Sequence, residues 1–275
     1  MVFGGDAVTH AWRTATVASG GETIYYEVTG ADDAPVVVLT HGAGGSHAAW
    51  FQQVPVLAAA GYRVVTWDSR GFGNSTFTTG VLGADAAVAD ITAILAHAGI
   101  ERVHLVGQSM GGWWATAFAL AQPQRLSSLT LSNTVAGLWT DALFAHFTNV
   151  AASTRPDEGR LGVHSALGPS FLTRDPARAF LYQQLNTFHS PPMGAVVKSL
   201  TGGRVEHATL DALGIRILVI TGTDDALFPA PLIRESASRL ANATIVEIGD
   251  AGHSPYFERP AKYNAALLQF LADTP

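Results

Sequence analysis

The chain has 275 residues, 48% hydrophobic and 14% charged, a length and composition that bury a large core and exclude a disordered chain. A formal net charge of −6 excludes the basic footprint needed for nucleic acid or an anionic membrane surface and points to a small-molecule substrate. There is no cysteine, hence neither disulfides nor thiol chemistry. The residues up to Arg13 lack a basic start followed by an apolar run, so they do not read as a signal peptide. No stretch approaches the ~20 apolar residues of a membrane span, and the expectation is a cytoplasmic protein.

Residues 23–28 alternate in polarity and predict an outer strand. Runs at 36–39, 63–66, 103–106, 129–131, 217–220 and 244–248 are short, apolar and β-branched, the signature of strands buried on both faces. Helix-compatible segments lie between them at 48–60, 83–98, 109–121, 231–241 and 259–271. This alternation predicts an α/β fold whose mostly parallel sheet is flanked by helices. The interval 135–213 breaks the rhythm, with no convincing strand run. Trp139, Leu143, Phe144 and Phe147 repeat there at helical spacing, as do Phe180, Leu181, Gln184 and Leu185, and Pro156, Pro169, Pro176, Pro191 and Pro192 divide the interval into short helices.

Gly107-Gln108-Ser109-Met110-Gly111-Gly112 follows the run at 103–106 and opens a helix-forming stretch. A serine at so sharp a strand-to-helix turn has the setting of a nucleophile elbow. With 28 glycines in the chain the pattern alone is weak, and its context carries it. An alcohol is a poor nucleophile at neutral pH and needs a base. Of ten histidines, His253 follows the last predicted strand in a turn able to bring it over the sheet. The histidines show no metal-ligand spacing, and no metal or cofactor is expected.

The chain resembles the α/β-hydrolase superfamily, with a helical cap inserted after the sixth strand. The matching residues are His41-Gly42-Ala43-Gly44-Gly45, Asp68-Ser69-Arg70-Gly71-Phe72-Gly73-Asn74-Ser75, the elbow, Gly222-Thr223-Asp224-Asp225 with Pro229, and Gly252-His253-Ser254-Pro255. The resemblance implies a core of 1–134 and 214–275 with a cap of 135–213. It implies a catalytic set of Ser109, His253 and Asp225, the acid being the second aspartate, four residues before Pro229. The alternative acid position after the preceding strand holds Ser132-Asn133-Thr134 and no carboxylate. Asp224 and Asp250 read as turn residues, His41 as a loop-holding residue, and Asp68 with Arg70 as a structural pair. The family pattern places oxyanion donors at the N–H groups of Ala43 and Met110, with Gly44 as fallback for the first.

Adjacent helix positions point about 100° apart, so at most one of Trp113 and Trp114 faces the substrate. Trp113, Trp139, Phe144, Phe147, Phe171 and Phe188 are the candidate pocket wall, suggesting a largely apolar acyl or ring-bearing substrate. Arg155, Arg160, Arg174, Arg178 and Lys198 are candidates to hold a substrate carboxylate, with surface solvation the preferred reading of each. The implied activity is hydrolysis of a carboxylic ester or lactone through an acyl-enzyme. The first alternative is carbon–carbon bond hydrolysis of ring-cleavage products, against which stand Gln108 and Ser254, where many such enzymes carry asparagine and an aromatic residue. Epoxide hydrolysis and dehalogenation need a carboxylate at position 109. A non-turnover ligand receptor on the same fold is the alternative from another class.

Overall fold

The computed structural model describes residues 11–152, 159–201 and 203–274; Arg155, Pro156 and the first ten residues lie outside them. One eight-stranded sheet comprises β1 (Trp12–Ser19), β2 (Glu22–Thr29), β3 (Val36–Thr40), β4 (Arg63–Trp67), β5 (Val103–Gln108), β6 (Leu126–Ser132), β7 (Arg216–Gly222) and β8 (Ala243–Ile248). Their order is β1-β2-β4-β3-β5-β6-β7-β8. Strand β2 runs against both its neighbours, and all remaining pairings are parallel.

The outer-strand expectation for 23–28 needs correction, because β1 lies outside β2 and pairs with it from Trp12↔Thr29 to Ser19↔Glu22. The inward positions of β1 are Ala15, Val17 and Ser19, too small to announce a core face. Its hairpin is closed by Gly20 and Gly21, both at positive φ (54° and 85°), which two-residue turns of primed type require.

The helices are α1 (Val54–Ala59), α2 (Ala84–His97), α3 (Met110–Ala121), α4 (Asp141–Ala152), α5 (Phe171–Arg174), α6 (Pro176–Leu185), α7 (Met193–Thr201), α8 (His207–Asp211), α9 (Ala230–Ala237), α10 (Pro255–Glu258) and α11 (Pro260–Ala272). Successive strand residues face opposite sides. Val36, Val38 and Leu105 pack with Ile91 of α2 and Phe118 of α3, whereas Val37, Leu39 and Val106 pack with Leu57 of α1 and Leu267 of α11. The helix expected over 48–60 is interrupted: a 3₁₀ turn at His47–Trp50 precedes α1. Buried Gln53 fixes the break by donating to Tyr256 O and Asn264 Oδ1, both at 2.9 Å, and Pro55 opens the helix.

Helices α4 to α8 occupy the interval between β6 and β7, which holds no strand among the described residues. Leu143 and Val196 of this interval pack with the first cluster, Ala179 and Tyr182 with the second, so the interval is tied to the cores on both sides of the sheet. The inward face of α6 is formed by Ala179 and Tyr182, and the apolar Phe180 and Leu181 point outward, 41% and 39% exposed. Tyr182 decides this register, its ring packing edge-on against Phe257 at 4.9 Å. Among the described residues no helix is long and apolar enough to cross a membrane.

Candidate active site

Ser109 links β5 to α3 with φ 48° and ψ −120°, a conformation that costs a non-glycine residue of order 1–3 kcal/mol and persists only where its surroundings enforce it. Here Ser109 N–H donates to Ser132 O at 2.9 Å, while Ser109 O accepts from Thr134 Oγ1 and Gly112 N–H, both at 2.8 Å. Neighbouring backbone crowds the turn. A Cβ on Gly111 would lie 2.3 Å from Thr40 O, so the start of α3 can touch the end of β3 only as glycine. Among the described residues Ser109 Oγ makes no hydrogen bond, and such contacts often tighten only when substrate is bound.

Asp225 and His253 meet 28 positions apart, His253 Nδ1 donating to Asp225 Oδ2 at 2.9 Å. Because a carboxylate only accepts, Nδ1 carries the proton of this bond. Asp225 Oδ2 also accepts from Asn133 Nδ2 at 2.9 Å, and Oδ1 accepts from the N–H groups of Leu227 and Phe228 at 2.8 and 2.9 Å. Four donors thus converge on a carboxylate that is 4% exposed, satisfying a charge that would otherwise be costly to bury. Asp224 accepts from Thr223 Oγ1, and exposed Asp250 pairs with Arg259 at 3.1 Å.

The His-Gly turn after β3 adjoins the serine, since a Cβ on Gly42 would lie 3.0 Å from Ser109 Cβ. Ser69 N–H donates to His41 Nε2 at 3.0 Å, and His41 Nδ1 donates to Gly42 O at 2.8 Å. Burial holds this imidazole below the ordinary histidine pKa despite nearby Asp68, so it braces the turn as a neutral ring. Neither Ala43 N–H nor Met110 N–H has an acceptor among the described residues, and Met110 begins α3, where the helix dipole favours an anion. Asp68 and Arg70 do not pair with each other. Arg70 forks onto Asp90 at 2.8 and 2.6 Å, and Asp68 accepts from His47 and Asn74.

Of the aromatic pocket candidates, Trp113, Trp139, Phe144 and Phe147 gather into one cluster. Trp139 lies 5.8, 5.4 and 5.4 Å from Trp113, Phe144 and Phe147. Phe228 stacks on Phe147 at 5.7 Å and reaches His253 at 5.5 Å. Phe171 is elsewhere, fully buried against Phe257, and Phe188 is 53% exposed. Trp114 is core, 1% exposed. Of the basic candidates, Arg178 is tied to Asp175 at 2.6 Å and Arg174 to Ser170 and Asp250 O. A cavity of about 500 Å³ lined by Arg13, Tyr26, Asp32, Arg63 and His97 opens beside β1 and shares no lining residue with this site.

Two residues have contacts here that the sequence did not announce. Asn133, at φ 47° after β6, reaches Asp225 and Gly252 O, and buried Gln108 donates to His253 O at 3.1 Å.

The model of the alpha/beta hydrolase fold family matches residues 35–260. The chain is 32% identical, over 90% of its length and 96% of the relative's, to a Variovorax paradoxus protein provisionally named carbamate hydrolase RutD. It is 30% identical, over 97% and 99%, to a 2-hydroxy-6-oxononadienedioate/2-hydroxy-6-oxononatrienedioate hydrolase of Paraburkholderia phymatum. A malate-bound thermophilic esterase from Thermogutta terrifontis superposes with a TM-score of 0.78 at 27% identity, covering 95% of this chain and 98% of that one. Sheet order, elbow and the 35–260 match agree: the chain belongs to the alpha/beta hydrolase fold family.

Proposed function

We propose that the protein is a serine hydrolase that cleaves a carboxylic ester or lactone of a small, largely apolar substrate through an acyl-enzyme. Ser109 Oγ attacks the carbonyl, and His253 Nε2 takes its proton and later delivers it to the leaving oxygen. Asp225 holds the ring in the required tautomer and stabilises the imidazolium. The N–H groups of Ala43 and Met110 receive the developing oxyanion. Water then repeats the sequence against the acyl group and releases Ser109. No cofactor enters these steps. Residues 135–213 serve as a cap over a core of 1–134 and 214–275, and the Trp113, Trp139, Phe144 and Phe147 cluster supplies the apolar wall.

The observation that carries this reading is the Asp225–His253 pair at 2.9 Å, with four donors converging on the carboxylate. Likeness to an esterase supports ester chemistry. The second reading, carbon–carbon bond hydrolysis, is favoured by the 97% coverage against the dienedioate hydrolase. A panel of p-nitrophenyl esters, lactones and vinylogous diketones, run on wild type and Ser109→Ala, tests both. Serine-dependent turnover of esters or lactones is expected, and turnover confined to the diketones selects the second reading.

A further inference from the structure

We propose that Glu258 is a positioning residue for His253, its carboxylate clamping the histidine loop to the segment between β6 and β7. The proposal rests on the catalytic reading above. Glu258 ends α10 and is 1% exposed. Its Oε1 accepts Gly252 N–H, immediately before His253, at 2.8 Å, and its Oε2 accepts Gly168 N–H, from the β6–β7 segment, at 2.9 Å.

These two backbones are in direct contact. A Cβ on Gly252 would lie 2.4 Å from Gly168 N and 2.7 Å from Leu167 C, and one on Gly168 would lie 2.9 Å from Gly252 N. The junction therefore admits no side chain at either glycine, and both amides turn to one carboxylate. An ionised carboxylate suits the place because each oxygen accepts and neither must donate. Either a carboxylic acid or an amide sets a donor against one of the two N–H groups.

Burial pushes Glu258 up to about 7, against the amides of Gly168, Gly252 and Ser254 and the charge of Arg174 on α5. Tyr182 of α6 also faces it, itself pushed up to about 12 by burial. These contacts only partly offset burial, so ionisation of Glu258 through about pH 7 eases opening of the junction. A second tie, Tyr182 Oη to Ser254 Oγ at 2.8 Å, keeps the segment docked when Glu258 is altered, so Glu258→Gln should fold.

Two readouts test the clamp. In wild type, hydrogen exchange at Gly168 and Gly252, corrected for the intrinsic pH dependence, should quicken as pH rises from 6 to 8, because opening hydrates Glu258 and grows easier as it ionises, and this needs no variant. In Glu258→Gln both amides should exchange faster, and kcat per active site titrated with a fluorophosphonate should fall about tenfold with KM nearly unchanged. Exchange at both amides that ignores pH and the substitution overturns the clamp. Faster exchange with kcat per titrated site unchanged overturns the positioning role and leaves the serine mechanism standing. The exchange arm reads the clamp even if Ser109 proves not to be the nucleophile.

Discussion

Asn133 Nδ2 donates at 2.9 Å to Asp225 Oδ2, the same oxygen that accepts from His253 Nδ1. The amide therefore helps fix the very oxygen that orients the histidine. Removing one charge-assisted donor costs about 1.5–3 kcal/mol, so kcat/KM of Asn133→Gly should fall about 10- to 100-fold. Glycine tolerates the φ of 47°, which separates loss of the amide from backbone strain. An unchanged kcat/KM would mean that the Leu227 and Phe228 amides suffice to hold Asp225.

Asp225→Asn should lower kcat on the order of 10⁴-fold by favouring the wrong histidine tautomer. All four partners of Asp225 are donors, so the new NH₂ meets at least one of them head-on and Tm should fall as well. Asp224→Asn and Asp250→Asn alter exposed turn residues, and their kcat should stay within a few-fold of wild type. Steady-state kinetics on the three variants ranks them directly, and a large loss in Asp224→Asn would relocate the acid.

Two buried glutamates give stability opposite pH dependences. Glu22 accepts from Thr78 and Thr79 N–H at 2.9 and 2.7 Å and from the hydroxyls of Thr76 and Thr79. Burial alone would raise its pKa, but these bonds win and lower it from 4.5 to about 2. Its contribution is complete above 4.5 and lost as pH falls toward 2. Glu258, raised from 4.5 to about 7, contributes stability that is complete below 4.5 and lost as pH rises through 7. Calorimetry from pH 2.5 to 8 should show the acid limb flattened in Glu22→Gln and the neutral limb flattened in Glu258→Gln.

Gly111→Ala should destabilise by about 2 kcal/mol or more and reduce activity, because its Cβ meets Thr40 O at 2.3 Å and overpacking against backbone has no cheap relief. Gly249→Ala, with nothing within 4 Å of the added Cβ, is the control and should leave both near wild type. Urea denaturation of the two variants measures the contrast, and equal stabilities would refute the close approach of α3 to β3.

Much of the architecture was legible in the sequence because the central strands carry short runs rich in apolar and β-branched residues and each of the five motifs sits at a strand end. The Asp225–His253 contact could be anticipated because both residues follow strands, β7 and β8, that pair in parallel and deliver their loops to one edge. Strand β1 was hidden by its small inward residues. Asn133 was hidden because its role depends on a backbone reversal held by a bond from Asn133 N–H to Ile220 O at 2.8 Å, which no local pattern announces. Phe171 and Phe188 share the composition of the pocket aromatics, and only packing separates a buried ring against Phe257 from an exposed one.

The nucleophilic role of Ser109 is tested most directly by acid-quenching the protein during turnover of a p-nitrophenyl ester and measuring the mass of the peptide that carries Ser109. The account predicts a gain equal to the acyl group on that peptide, absent in Ser109→Ala, whose rate should fall on the order of 10⁶-fold. Turnover without an adduct, together with a Ser109→Ala variant that keeps a tenth of the wild-type rate, would contradict it.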